Sequence, residues 1–173
     1  MEDYRTIPAA RLGEGSKIKL DLCETEVDLY WKMAIEVLEL IQENNVKGEP
    51  TVMIVPYGPL GPYARLAYLV NKYRVSLKNC WFLNMDEYLD DDLQYLPKSH
   101  PLSFRGGMDR TFYNKVDEAL NVPLDQRIFP EPGNEGNIQA VIDHFGKLDM
   151  CWGGVGITGH IAFNEPPEPG EIC

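Results

Sequence analysis

Thr51–Val55 reads TVMIV, a β-branched run closed by Pro56 and Gly58, which is the pattern of a short strand buried in a parallel sheet. On its amino-terminal side Val27, Trp31, Ala34, Leu38 and Ile41 recur at alternating spacings of four and three, so they share one face of a helix. Glu24, Glu26 and Asp28 suit the positive end of that helix dipole, and Gly48 with Pro50 ends it. On the carboxyl side Pro62 to about Arg74 reads as a helix and CWFLN, Cys80–Asn84, as a second strand. The regions from about Phe104 to Leu120 and from Gly136 to Gly146 read as helices, and Leu148–Trp152 as a third strand. The segment up to about Ser16, with Pro8, Gly13 and Gly15, lacks periodicity and is expected to run as an irregular lead-in. Alternating strands and helices predict an α/β fold, a parallel sheet with helices on both faces, whose ligands bind beyond the carboxyl ends of the strands. No repeat or linker interrupts residues 1–173, which are expected to form a single domain.

With 173 residues and 44% of them hydrophobic, the chain is long and apolar enough to bury a continuous core. Its net charge of −11 argues against nucleic acid as a partner, because that affinity comes largely from Lys and Arg displacing counterions. A small anion is still compatible, since a few local donors outweigh distant charge over a short screening length. The apolar runs fall far short of the roughly 20 residues of a membrane helix. The start MEDYRTIPAARLGEG has neither a basic nor an apolar leader region, so a cytoplasmic protein with no membrane partner is expected. Cys23, Cys80, Cys151 and Cys173 form no C-x-x-C pair and read as reduced thiols, with Cys80 and Cys151 expected as small buried hydrophobes.

Two loops at strand ends carry the chemistry. Asn84-Met85-Asp86-Glu87-Tyr88 places adjacent carboxylates at the crevice edge, where only one can point inward. An Asp in such a loop more often caps a turn or helix than moves protons. The run Asp90-Asp91-Asp92 reads as a solvated loop face. After the third strand, Gly154, Gly156 and Gly159 spell a formal G-x-G-x-x-G. That fingerprint needs a helix opening at its last glycine and an acid about 20 positions on, whereas Pro166, Pro167 and Pro169 follow, so no dinucleotide is expected. What remains is a glycine-rich loop able to approach a ligand closely. If it folds back, His160 and Glu165 meet as a carboxylate-oriented imidazole, although a lone His is as often structural. His144 reads as a surface or helix-end residue, and His100 as lining the site or capping the next helix. Three separated histidines with no spaced partner make no metal site.

FLNMDEY (Phe82–Tyr88) and GGVGITGHIAFNEP (Gly153–Pro166) together resemble the two signature blocks of the glucosamine-6-phosphate deaminases. HPLSF (His100–Phe104) is similar to their HPxSY segment, so the resemblance covers roughly Thr51 to Pro167. The sister 6-phosphogluconolactonases show a DER pattern in the first block and GHxASLFP in the second, and Phe163-Asn164-Glu165-Pro166 favours the deaminase side. The resemblance implies a Rossmann-like three-layer fold whose carboxyl-terminal part is missing from this chain, with an uncovered sheet edge that invites a homo-oligomer. It implies that Asp86 moves a proton between C2 and C1, that His160 opens the sugar ring and that Glu165 orients and charges it. Gly58, Gly154, Gly156 and Thr158 are the implied substrate-binding positions, and the implied reaction converts glucosamine 6-phosphate to fructose 6-phosphate and ammonia with no cofactor.

Two positions depart from the family pattern. Thr158 stands where the family has Asp, and a hydroxyl orients a ring nitrogen without stabilising an imidazolium by charge. Pro56-Tyr57-Gly58-Pro59-Leu60-Gly61-Pro62 replaces a TGGT-type phosphate loop; Pro59 donates no N–H and Leu60 no hydroxyl. The 173-residue chain is therefore expected to fold yet to be essentially inactive as a deaminase. The competing readings are an isomerase of another sugar phosphate, a non-catalytic sugar-phosphate binding protein and, more weakly, a lactonase.

Overall fold

The computed structural model describes residues 6–134, 136–156 and 158–164. Helix α1 (Glu26–Lys47) begins at Thr25, whose hydroxyl accepts the Asp28 N–H at 3.2 Å, and ends at Gly48 with φ 71°. That left-handed conformation is one glycine adopts without a Cβ clash. Ala34, Val37, Leu38 and Ile41 form its buried face. Val27, expected on that face, is exposed instead, because the first turn of α1 reaches past the strand ends.

Strands β1 (Thr51–Val55) and β2 (Cys80–Asn84) have the expected bounds, and α2 (Gly61–Tyr73) joins them. Two further strands, β3 (Arg127–Ile128) and β4 (Met150–Cys151), complete a four-stranded parallel sheet in the order β3-β2-β1-β4. β3 was not expected from the sequence: two residues carry no periodicity, and only pairing with Phe82 and Leu83 makes them a strand. β4 is shorter than the expected Leu148–Trp152, yet the Asp149 and Trp152 N–H groups both donate to β1 carbonyls at 2.9 Å, so the whole segment lies along β1. Cys151 is exposed rather than buried, because β4 is paired on one side only among the described residues. Cys80, in the interior strand, is fully buried, and that burial pushes its thiol up to about 12.

Helix α3 (Phe104–Thr111) stops far short of Leu120. Phe112 leaves helical geometry at φ −131° and Tyr113–Lys115 continues as a 3₁₀ turn. Both rings are buried, with centroids 5.3 Å apart. Consecutive residues of an α-helix point about 100° apart, so unwinding the chain lets both rings enter one core. Helix α4 (Asn137–Phe145) closes on Gly146 at φ 63°.

Met53, Val55, Cys80 and Phe82 meet α1, α2 and the Phe112–Tyr113 turn in the main core. On the opposite face Trp81 packs against Phe145 of α4, ring centroids 5.1 Å apart. Helices therefore cover both faces. β1 is flanked by β2 on one side and β4 on the other, so the order of strands reverses there and a crevice opens at their carboxyl ends. Among the described residues no helix is long and apolar enough to cross a membrane.

Candidate active site

An open cleft of about 440 Å³ occupies that reversal point. Pro56, Gly58 and Pro59 line it from the end of β1, Met85 and Asp86 from the end of β2, and Gly154, Gly156 and His160 from the loop after β4. Of the residues singled out in the sequence, Gly58, Asp86, Gly154, Gly156 and His160 are thus brought together, while Glu165 lies outside the described residues.

The two adjacent carboxylates divide their roles. Glu87 has a side chain only 1% exposed, and its oxygens accept the Phe104 and Arg105 N–H groups at 2.8 Å each. It satisfies the amino terminus of α3, the capping role that residue type alone favours for Asp86. Asp86 is left in the cleft half-buried. Burial, and secondarily the Glu87 charge, raise its pKa above the ordinary carboxylate value, and no hydrogen bond to it from a described residue offsets that rise. Tyr57 packs against Phe104 with ring centroids 4.7 Å apart, and Gly107 leaves room for the Tyr57 ring, where a Cβ would collide. His100 is exposed; its Nδ1 accepts the Leu102 N–H at 3.2 Å and serves the turn before α3 rather than the cleft. His144 is exposed at the end of α4 against Phe145.

The glycine-rich loop folds back on itself. Val155 pairs antiparallel with Ile161, the Gly156 N–H donates to the His160 carbonyl at 2.9 Å, and Gly159 turns the chain at φ 85°. Residues 158–164 hold turns and bridges and open no helix at Gly159, which agrees with rejecting a dinucleotide fingerprint. The His160 imidazole lies directly over Gly156, where a Cβ would overlap the ring. Thr158 does not line the cleft; its hydroxyl meets His160 Nδ1 at 2.7 Å. Gly156→Ala is expected to displace the imidazole, seen as altered His160 ring resonances with an unchanged far-ultraviolet circular dichroism spectrum; unchanged ring resonances would show that the loop accommodates the methyl.

The wall contributed by α1 was not expected from the sequence, where Glu26 reads only as a dipole partner. The Tyr30 hydroxyl donates to Glu26, and its ring covers Gly61, which has no side chain to collide with it. Arg65 lies over that ring at 5.4 Å and donates to the Gly61 carbonyl at 2.8 Å. The Leu60 side chain does not cap α2, and Pro62 follows in its first turn. Among the described residues lining the cleft there is no Lys or Arg.

No protein-family model matches the chain. It is 37% identical over 128 residues to a glucosamine-6-phosphate deaminase of Mannheimia succiniciproducens, an alignment covering 71% of this chain and 46% of the relative. It is 39% identical over 121 residues to that of Serratia proteamaculans, covering 68% and 44%. The Pasteurella multocida deaminase is 33% identical over 141 residues, covering 79% and 51%. The fold superposes on a monomeric glucosamine-6-phosphate deaminase of the NagB superfamily with a TM-score of 0.69 and 26% identity, over 86% of this chain and 60% of that one. The chain is a relative of the glucosamine-6-phosphate deaminases. It spans about half the length of the deaminases it matches in sequence.

Proposed function

We propose that the cleft carries out the deaminating isomerisation of glucosamine 6-phosphate to fructose 6-phosphate and ammonia. The observation that carries this reading is Asp86, a half-buried carboxylate with raised pKa, sharing one cleft with an imidazole held on its Nδ1 side by Thr158. An aldose-to-ketose shift needs one carboxylate that takes a carbon-bound proton and returns it to the neighbouring carbon. His160 moves a proton from the anomeric hydroxyl to the ring oxygen, opening the ring. Asp86 takes the C2 proton, giving an enolamine, and delivers it to C1. The resulting C2 imine adds water and releases ammonia, leaving the ketose. Glu165 is assigned to charge support of His160, and Gly58, Gly154 and Gly156 to close backbone approach to the sugar.

The test follows the C2 hydrogen of glucosamine 6-phosphate in deuterium oxide. Exchange above that of an Asp86→Asn control is expected even where ammonium release is slow, since proton transfer needs only an open-chain sugar and the carboxylate. No exchange above the control, with no saturable binding, would overturn the reading. Thr158 in place of the family's Asp and the altered loop Pro56–Pro62 favour a second reading, an isomerase of another sugar phosphate, and faster exchange of such a sugar would select it. Thr158→Asp would return a charge on the Nδ1 side of His160 that Thr158 lacks. Turnover of glucosamine 6-phosphate should rise with it if that is the substrate.

A further inference from the structure

A cavity of about 290 Å³ lies beside β3, between α3 and the approach to α4, and shares no lining residue with the cleft. We propose that it binds a small hydroxylated oxyanion, of the size of a short polyol phosphate. In a chain with 27 acidic and only 16 basic residues, three cations, Lys98, Arg105 and Arg127, converge on it from three different segments. Its two lining carboxylates are engaged: Asp109 pairs with Lys98 at 2.7 Å, and Glu131 accepts the Asn134 amide at 2.8 Å.

Both guanidinium groups are held in place before any ligand arrives. Arg105 lies over the Tyr95 ring at 3.8 Å and donates to the Leu96 carbonyl at 2.9 Å. Arg127 lies over the Tyr113 ring at 4.1 Å, and its Nε and Nη2 donate to the Val122 carbonyl at 2.9 and 2.6 Å. No described carboxylate forms an ion pair with Arg127, and burial disfavours its charge, so an anion beside it would relieve that cost.

Unsatisfied polar atoms concentrate here. Of the five buried side-chain polar atoms without a hydrogen-bond partner among the described residues, three belong to residues that line this cavity: Arg105 Nε, Tyr113 Oη and Asn137 Oδ1. Two of these already face a protein group: Arg105 Nε forms an ion pair with the buried Glu87 carboxylate at 3.4 Å, and the Tyr113 hydroxyl lies beside the Asn84 side chain. Asn137 Oδ1 is the one left calling for a partner that no described residue supplies. Asn137 has its Nδ2 bound to the Phe129 carbonyl at 2.7 Å, so its Oδ1 wants a donor, while Arg127, without a described carboxylate partner, wants an anionic acceptor. A bare oxyanion answers only Arg127 and a neutral polyol only the asparagine. An oxyanion carrying a hydroxyl answers both.

The test is a titration of the ¹⁵N-labelled 173-residue chain with glycerol 3-phosphate, inorganic phosphate and glycerol. Glycerol 3-phosphate is expected to shift the Arg105 and Arg127 Nε–H and Asn137 side-chain amide signals saturably, inorganic phosphate more weakly, and glycerol not at all. Arg127→Met should weaken binding about tenfold or more, as loss of a charge-assisted pair does. Lys98→Glu, at the exposed rim, reverses one charge without touching the core and should weaken it as well. No saturable shift, shifts confined to Gly154, Gly156 and His160, or a response that both variants leave intact would overturn the assignment.

Discussion

On the proposed mechanism, replacing Asp86 with Asn is expected to lower exchange of the C2 hydrogen of glucosamine 6-phosphate by about a hundred- to ten-thousandfold, the usual worth of a positioned general base. The amide fills the same space but cannot accept the C2 proton, so binding of the sugar should survive while exchange at C2 stops. The same substitution has a pH-dependent stability signature. The fold raises the pKa of Asp86 through burial and the Glu87 charge, so its carboxyl resists ionisation more in the folded than in the unfolded chain. The unfolded chain then loses its proton first as pH rises. Stability contributed by the neutral acid is present in acid and is lost as pH climbs from the ordinary carboxylate range through the raised folded value. Asp86→Asn removes that loss. Urea midpoints of the two proteins should therefore diverge in favour of the variant as pH rises through this window. Exchange at C2 undiminished in the variant would remove Asp86 from the role of base, and a difference that stays constant with pH would show that the fold does not raise its pKa.

Phe112→Ala is expected to cost about 3–5 kcal/mol of stability, a large share of the roughly 5–15 kcal/mol that holds a domain together. The ring is fully buried and meets Tyr63 and Phe82 at 5.8 Å and Tyr113 at 5.3 Å, so its removal leaves a cavity bounded by other rings and not easily collapsed. The urea midpoint should fall steeply with little change in slope. A loss under about 1 kcal/mol would mean that the break between α3 and the following turn is not set by the need to bury both aromatic rings.

The core of the sheet was legible because its signals are local and dense. TVMIV and CWFLN are apolar runs bounded by breakers, and the structure keeps their limits at Thr51–Val55 and Cys80–Asn84. β3 was not legible, since Arg127–Ile128 becomes a strand only by pairing with a neighbour more than 40 positions away. The end of α3 was missed because helical periodicity does not reveal that two consecutive aromatics must both turn inward. Cys151 has the same local apolar context as Cys80, and only strand order makes one an edge residue and the other interior.

The candidate site divides in the same way. From sequence alone came the placement of Asp86 and His160 at strand ends, a glycine-rich loop able to approach a ligand closely and the loss of donors at Pro59 and Leu60, because residue type and position relative to a strand fix each of these. Tertiary structure decided which neighbour among Asp86 and Glu87 is the cap, since that depends on where the amino terminus of α3 lands and nothing local encodes it. It also decided that Tyr30 and Glu26 form a wall of the cleft and that the imidazole sits over Gly156, because long-range packing brings α1 and the returning loop to the same strand ends and hydrophobic pattern carries no information about which distant segments meet.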